Sequence, residues 1–260
     1  MNIFKRKKSG VAFGGGAARG FAHIGIVKVF EESGFKFDYI VGNSAGSIVG
    51  ALYAAGMSWK EMYQHAKQIS AKDIIALDIK SPGLFNSEKL EKLIRSMLGD
   101  MRFEDLKVPF RCVAVDLKSG NLVVLSKGEL APAIRASCSI PGIFTPTPLH
   151  DKLLVDGGIL DSVPGNIAYN MGARFIVGIN LNSDRSLFKY PKTGPDTVFS
   201  ALKIIMNHNT RIGLQKANII IEPDLKHIAH HEIRKLDELV ALGEKAARQH
   251  IKTLKRHLKI

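Results

Sequence analysis

Two short apolar runs, each stopped by glycine and followed by a helix-like pattern, constrain this chain more than any other feature. Val11-Ala12-Phe13 ends at Gly14-Gly15-Gly16, and Tyr39-Ile40-Val41 ends at Gly42-Asn43-Ser44-Ala45-Gly46. Three apolar residues bounded by glycine read as a buried strand and a tight turn. In Phe21 to Glu32, Ile24, Val27 and Phe30 recur at helical spacing, and Gly34 stands where a helix C-cap belongs. Ile48 to Ala55 continues the second turn as a small, apolar helix closed by Gly56. Strand–turn–helix, twice over, reads as an α/β protein built on a parallel sheet.

The rest of the chain repeats that theme less regularly. Trp59 to Ile69, Ser87 to Leu98, Glu129 to Ala136 and Pro195 to Leu214 read as helices, with Ser87 as an N-cap. Phe110 to Asp116, Leu122 to Leu125, Leu153 to Val155 and Asn218 to Ile221 read as strands. Phe175 to Leu181 is a continuous apolar run, as in a strand buried on both faces. Arg234 to Leu258 reads as one long amphipathic helix, and Ser183 to Pro195 as a loop that moves. With no repeat and no linker, a basic extension over residues 1–10 is expected before a single domain over 11–260.

The chain has 260 residues, 45% of them hydrophobic, enough for a substantial core and too many for a disordered protein. Its two cysteines, Cys112 and Cys138, form no zinc or CxxC pattern and suit a reducing compartment. No apolar run is long enough to span a membrane, and the first residues lack the apolar core of a signal peptide. The expected location is therefore the cytoplasm. The net charge is +13. Lys5, Arg6, Lys7 and Lys8 carry four of those charges and residues 245–260 carry six, with no acid in either stretch. The remaining body is nearly balanced. That distribution argues against a nucleic-acid face around a central site and predicts peripheral contact with an anionic membrane through residues 1–8 and 245–260.

Gly42-Asn43-Ser44-Ala45-Gly46 is a GxSxG pattern between a strand and a helix, the setting of a nucleophile elbow. Ser44 would stand on a strained turn above a helix N-terminus, which favours developing negative charge. The bland alternative is a small-residue turn with an N-capping serine. Gly14-Gly15-Gly16-Ala17-Ala18-Arg19-Gly20 exposes backbone N–H groups of the kind that bind an oxyanion. A dinucleotide fingerprint fails there, because Arg19 stands where the last glycine is required. Asp156-Gly157-Gly158 ends a strand with a carboxylate that two glycines leave uncrowded.

Together, FGGGAARGFAHIGIVKVFEE, VGNSAGSIVGALYAAG, IRASCSIPGIFTP and LVDGGILDSVP resemble, in order, the small bacterial members of the patatin-like phospholipase family. That resemblance implies a three-layer α/β/α sandwich with a mainly parallel central sheet. It implies acyl-ester hydrolysis, chiefly of lipids, by a Ser–Asp dyad without histidine or cofactor. Ser44 would be the nucleophile and Asp156 the base. The loop at Gly14, Gly15, Gly16 and Ala17, with Arg19 and Gly20 beside it, would supply oxyanion donors. Gly42, Asn43, Ala45 and Gly46 would shape the elbow, and Gly157 and Gly158 the turn after the base.

Other readings stay open at this level. A Ser–Asp–His triad has candidates in His208, His227, His230 and His231, and His227 with His231 invites a metal, though HExxH is absent. An acyltransferase or non-lipid esterase would use the same scaffold. A basic nucleotide- or nucleic-acid-binding α/β protein is the alternative of another class, unsupported by any RNA- or DNA-binding motif. Arg19 and Arg135 are either anion binders or structural ties. Cys138 is either pocket-lining or a small buried residue, and His23 reads as packing. The stripe of Leu236, Val240, Ala247, Ile251, Leu254 and Leu258 fits a membrane-surface helix or a core-packed one.

Overall fold

The structure, a computed structural model, describes residues 7–70, 76–77, 85–183 and 191–258. Eight strands form the central sheet: β1 (Ser9–Phe13), β2 (Tyr39–Gly42), β5 (Phe110–Asp116), β6 (Leu122–Leu125), β7 (Thr147–Leu149), β8 (Lys152–Asp156), β9 (Phe175–Ile179) and β10 (Ile219–Ile221). A separate antiparallel pair joins β3 (Ala76–Leu77) to β4 (Phe85–Asn86). In the central sheet β10, β9, β1, β2 and β5 run parallel in that order. On β5 the sheet changes character, because β6 and β8 pair with it antiparallel and β7 pairs antiparallel with β8. The sheet is mixed, and the strand that ends at Asp156 belongs to its antiparallel part. The sequence could not show this, because strand direction is set by the partner rather than by the strand's own residues.

Nine helices accompany the strands among the described residues: α1 (Ala22–Glu32), α2 (Ala45–Ala55), α3 (Trp59–Gln68), α4 (Glu88–Leu98), α5 (Leu130–Ser137), α6 (Gly165–Asn170), α7 (Gly194–Gly213), α8 (Leu236–Arg248) and α9 (Ile251–Leu258). They cover both faces, and strand periodicity decides which residue meets which layer. Val11, Phe13, Ile40, Cys112 and Val177 pack with α1, α2 and α8. Their neighbours Val41, Val113 and Ile176 pack on the other side with Ile167 and Ala168 of α6, against which α7 rests. This is the expected α/β/α arrangement.

The closest helix crossing, α1 on α8, depends on glycine. A Cβ on Gly25 would strike the Val240 carbonyl, and one on Gly243 would strike that of Ala22. Several expected boundaries differ. A 3-10 turn (Ala17–Phe21) precedes α1, and α2 begins at Ala45 rather than Ile48. The expected terminal helix is broken between Arg248 and Ile251. Its second piece is core-packed: Leu254 and Leu258 are buried, and the His257 ring stacks on Phe175 at 4.7 Å. Ser87 opens α4 without a side-chain capping bond, because its Oγ accepts from Arg135 Nε at 2.9 Å. The segments β7 and α6 have no clear period and went unread. Most of the expected mobile stretch, and the basic residues 1–6, lie outside the described residues.

Candidate active site

The site lies at the end of the sheet where β1 and β2 finish. Ser44 stands two residues past the end of β2, after Asn43, and is the N-cap of α2, at φ 51° and ψ −128°. A non-glycine residue in that region costs about 1–3 kcal/mol and persists only where its surroundings enforce it. Here they do. A Cβ on Gly46 would strike the Phe13 carbonyl, so the start of α2 can approach β1 this closely only with glycine at that position. The Asn43 N–H donates to Phe13 O at 3.0 Å, and the Ser44 N–H donates to Ser137 Oγ at 3.0 Å. Ser44 is 5% exposed.

Asp156 is fully buried at the end of β8, paired in register with Ala114. Its Oδ1 accepts from the Gly158 N–H at 2.8 Å and from Asn43 Nδ2 at 3.2 Å. Its Oδ2 has no partner of ordinary hydrogen-bond geometry. Burial pushes the carboxyl up to about 6, and hydrogen bonding from Ser44, then Gly158 and Asn43, holds it from rising further. At neutral pH it is mostly ionised and short of donors.

The glycine loop is tied from all sides. Gly14 N–H donates to Ile179 O at 3.0 Å and Gly15 N–H to Ser162 O at 3.1 Å. His23 Nε2 donates to Gly14 O at 2.8 Å, Asn182 Nδ2 to Gly15 O at 2.9 Å, and Arg19 N–H to Gly16 O at 3.1 Å. Two of the expected oxyanion donors, Gly14 and Gly15, are therefore already spent within the fold. Gly16 and Ala17 keep N–H groups that no acceptor among the described residues takes, and Ala17 is turned to φ 50°. Gly15 lies against the Ser44 side chain, and Gly20 against Ala45. Gly157 and Gly158 leave room for the Asn43 side chain that reaches Asp156, and the Met206 methyl of α7 closes over Gly158.

The other candidates fall into structural roles. Arg19 is 1% exposed and ties its own loop to Ile228 O at 2.9 Å and Leu181 O at 3.2 Å. Arg135 pairs with Glu91 at 3.1 Å. Burial pushes the Cys138 thiol up, the Asp156 charge adds to that, and its Sγ sits 3.9 Å from Ser47 Oγ. His23 is buried and its imidazole pushed down to about 4, so it is neutral. The histidines proposed for a triad are engaged elsewhere or exposed: His227 binds Glu238 at 2.6 Å, His230 binds Asn182 at 2.9 Å, and His208 and His231 are exposed. Among the described residues no group of three or more His, Cys, Asp or Glu side chains could hold a metal ion.

Sequence reasoning missed Ser137, Asn182 and Met206, and gave Asn43 no task of its own. Ser137 lies inside the IRASCSIPGIFTP segment, so its neighbourhood was marked. Asn182 and Met206 sit in stretches without a motif. A buried Asp161, with neither carboxyl oxygen in ordinary hydrogen-bond geometry and its pKa pushed up to about 7 by burial against weaker hydrogen bonding from Asn166 and Val163, lies against Gly213 and was also unforeseen.

The model of the patatin-like phospholipase family matches residues 11–169, more than half of the chain and both halves of this site. The chain belongs to that family. Among curated relatives, an uncharacterized NTE family protein of Mycobacterium tuberculosis is 36% identical over 179 residues, covering 68% of this chain and 49% of its own. The human patatin-like phospholipase domain-containing protein 6 is 34% identical over 182 residues, covering 66% of this chain and 13% of its own. This family member thus spans half or less of these relatives. The fold matches VipD from Legionella pneumophila at a TM-score of 0.58 and 14% identity, over 96% of this chain and 67% of that one. It matches the type III effector ExoU of Pseudomonas aeruginosa at 0.54 and 15%, over 96% and 54%. Among the described residues no helix is long and apolar enough to cross a membrane.

Proposed function

We propose that this chain is a serine hydrolase of lipid acyl esters, with Ser44 as nucleophile and Asp156 as base. One observation carries the reading: Asn43, the residue before a serine held at positive φ, donates to a fully buried carboxylate whose second oxygen has no partner of ordinary hydrogen-bond geometry. Asp156 takes the Ser44 proton as the hydroxyl attacks the ester carbonyl, then returns it to the departing alkoxide. Water attacks the acyl-enzyme with Asp156 again as base. Asn43 and the Gly158 N–H fix Oδ1, which leaves Oδ2 for the proton. The N–H groups of Gly16 and Ala17, with that of Ala45 at the first position of α2, are the donors for the oxyanion. A carboxylate is a weak base, which suits an ester better than an amide.

The lipid part of the reading is supported by family membership and by the names of the relatives. A fluorophosphonate probe should label the wild-type chain and not Ser44→Ala, and a panel of phospholipids and short-chain esters should show turnover that this substitution removes. Hydrolysis that survives it would end the proposal. Acyl transfer to an added alcohol outrunning hydrolysis would make the protein an acyltransferase on the same dyad. The basic ends bear on this only indirectly. Lys8 precedes β1 and α9 packs at the start of β9, so both lie across the sheet from Ser44. A bilayer bound there would hold the protein without presenting the site to it.

A further inference from the structure

The helix that closes over the base turn wears its apolar side outward. On α7, Val198 is 71% exposed, Ile204 56%, Ile205 47% and Ile212 48%. With Ala201 and His208, also exposed, they recur at steps of three and four and form one continuous face. The inner side of α7 carries Met206 against Gly158, and at the margin of the apolar face Asn209 donates from Nδ2 to Ile159 O. An exposed apolar face of this extent marks an interaction site. Its charge says of what kind. Arg211 and Lys216 are cationic and exposed, and no acid lies between Asp196 and Glu222, which flank the stretch. The face continues into a cavity of about 600 Å³, where Ile204, Leu214 and Ile220 meet His208, Arg211 and one acid, Glu222. Neither Ser44 nor Asp156 lines that cavity.

We propose that the outer face of α7 is the surface by which this protein seats on an anionic lipid layer. Its isoleucines enter the acyl boundary while Arg211 and Lys216 meet headgroup phosphates. A second copy of the chain fits the same face worse, because a two-fold contact would set these cations against each other. The inference rests on the lipid-directed reading of Ser44, since Met206, on the same helix, touches the turn after the base.

The test is co-sedimentation of the 260-residue chain carrying Ser44→Ala with phosphatidylcholine vesicles, with and without phosphatidylglycerol. Binding is read without turnover, so it is independent of the chemistry. Ile204→Ser with Ile205→Ser in that background should weaken partitioning about tenfold or more. Arg211→Gln should weaken it on phosphatidylglycerol vesicles alone. Ala201→Trp, at an exposed position, should strengthen it and guards against a serine variant that misfolds. Unchanged binding in all three would overturn the proposal. So would loss of binding on Lys252→Gln with Lys255→Gln while the isoleucine pair is indifferent, which would move the contact to the other edge. A wild-type dimer that the serine pair turns into a monomer would make a second copy the occupant. Short-chain ester turnover by the wild type reads the dyad separately: vesicle binding without it fails the hydrolase and leaves the docking face standing.

Discussion

Where the strands begin, polar groups are satisfied and the core is dense. The Ser9 N–H donates to Asp38 Oδ2 at 2.7 Å, and the Arg174 N–H to Lys8 O at 2.8 Å. Phe30 packs edge-on against Phe35 and Phe37, with all three rings buried. Arg248 bridges Glu32 and Glu244. Where the strands end, Ser44 and Ala17 are held at positive φ, Asp156 and Asp161 are buried with oxygens unpaired, and α7 exposes isoleucine to solvent. One end of the sheet carries the stability and the other carries strain and desolvated charge. This division is what a preorganised site requires, because such features persist only when the rest of the fold holds them in place.

The largest expected effect belongs to the strained end. Ser44→Ala should lower ester turnover by about a thousandfold or more with the fold intact by circular dichroism. Turnover reduced only a few-fold would break the comparison. At the other end, Phe30→Ala should cost about 3–5 kcal/mol in urea unfolding, and the protein that remains folded should keep its kcat. Next, Asn43→Ala leaves Asp156 Oδ1 with the Gly158 N–H alone and should lower kcat about ten- to a hundredfold with little change in KM, since Asn43 positions the base rather than the substrate.

Asp156 sharpens the contrast through pH. Its folded pKa lies near 6, above its ordinary value of 3.8, so the native state binds the extra proton. Stability from this group is therefore full below the ordinary value and is lost as pH rises through 6. Asp156→Asn should abolish turnover yet stabilise the chain, by about 1–2 kcal/mol more at pH 8 than at pH 5. A melting-temperature gain that is equal at both pH values would contradict buried charge at this position. In the wild type, kcat/KM should rise with pH and level off above about 6, because the base must be ionised. The smallest effect is expected on α9, where Lys255→Gln should change stability by less than about 0.5 kcal/mol, the range of an exposed charge.

Much of the site was legible because its chemistry is local. A glycine-flanked serine between strand and helix, a glycine triplet after a strand and a DGG turn are each short segments whose backbone demands are written in residue type. Their order along the chain supplied the family. The parts that failed to show were those whose meaning lies in a partner far along the sequence. Arg19 reads equally as an anion binder or a tie until Ile228 and Leu181 are seen to accept from it. Gly14 and Gly15 read as oxyanion donors until Ile179 and Ser162 take their N–H groups.

The sequence by itself therefore determined the alternation of strand and helix, the elbow at Ser44 and the carboxylate at Asp156, since periodicity, glycine and turn chemistry act within a few residues. Only the tertiary structure decided that β8 runs antiparallel and still brings Asp156 to Asn43. It also decided that Lys8 and α9 lie at the other end of the sheet from the site, and that α7 turns its isoleucines outward. Those outcomes depend on strand pairing and on which helix faces find a neighbour, and such contacts join residues too distant in the chain for any local pattern to specify.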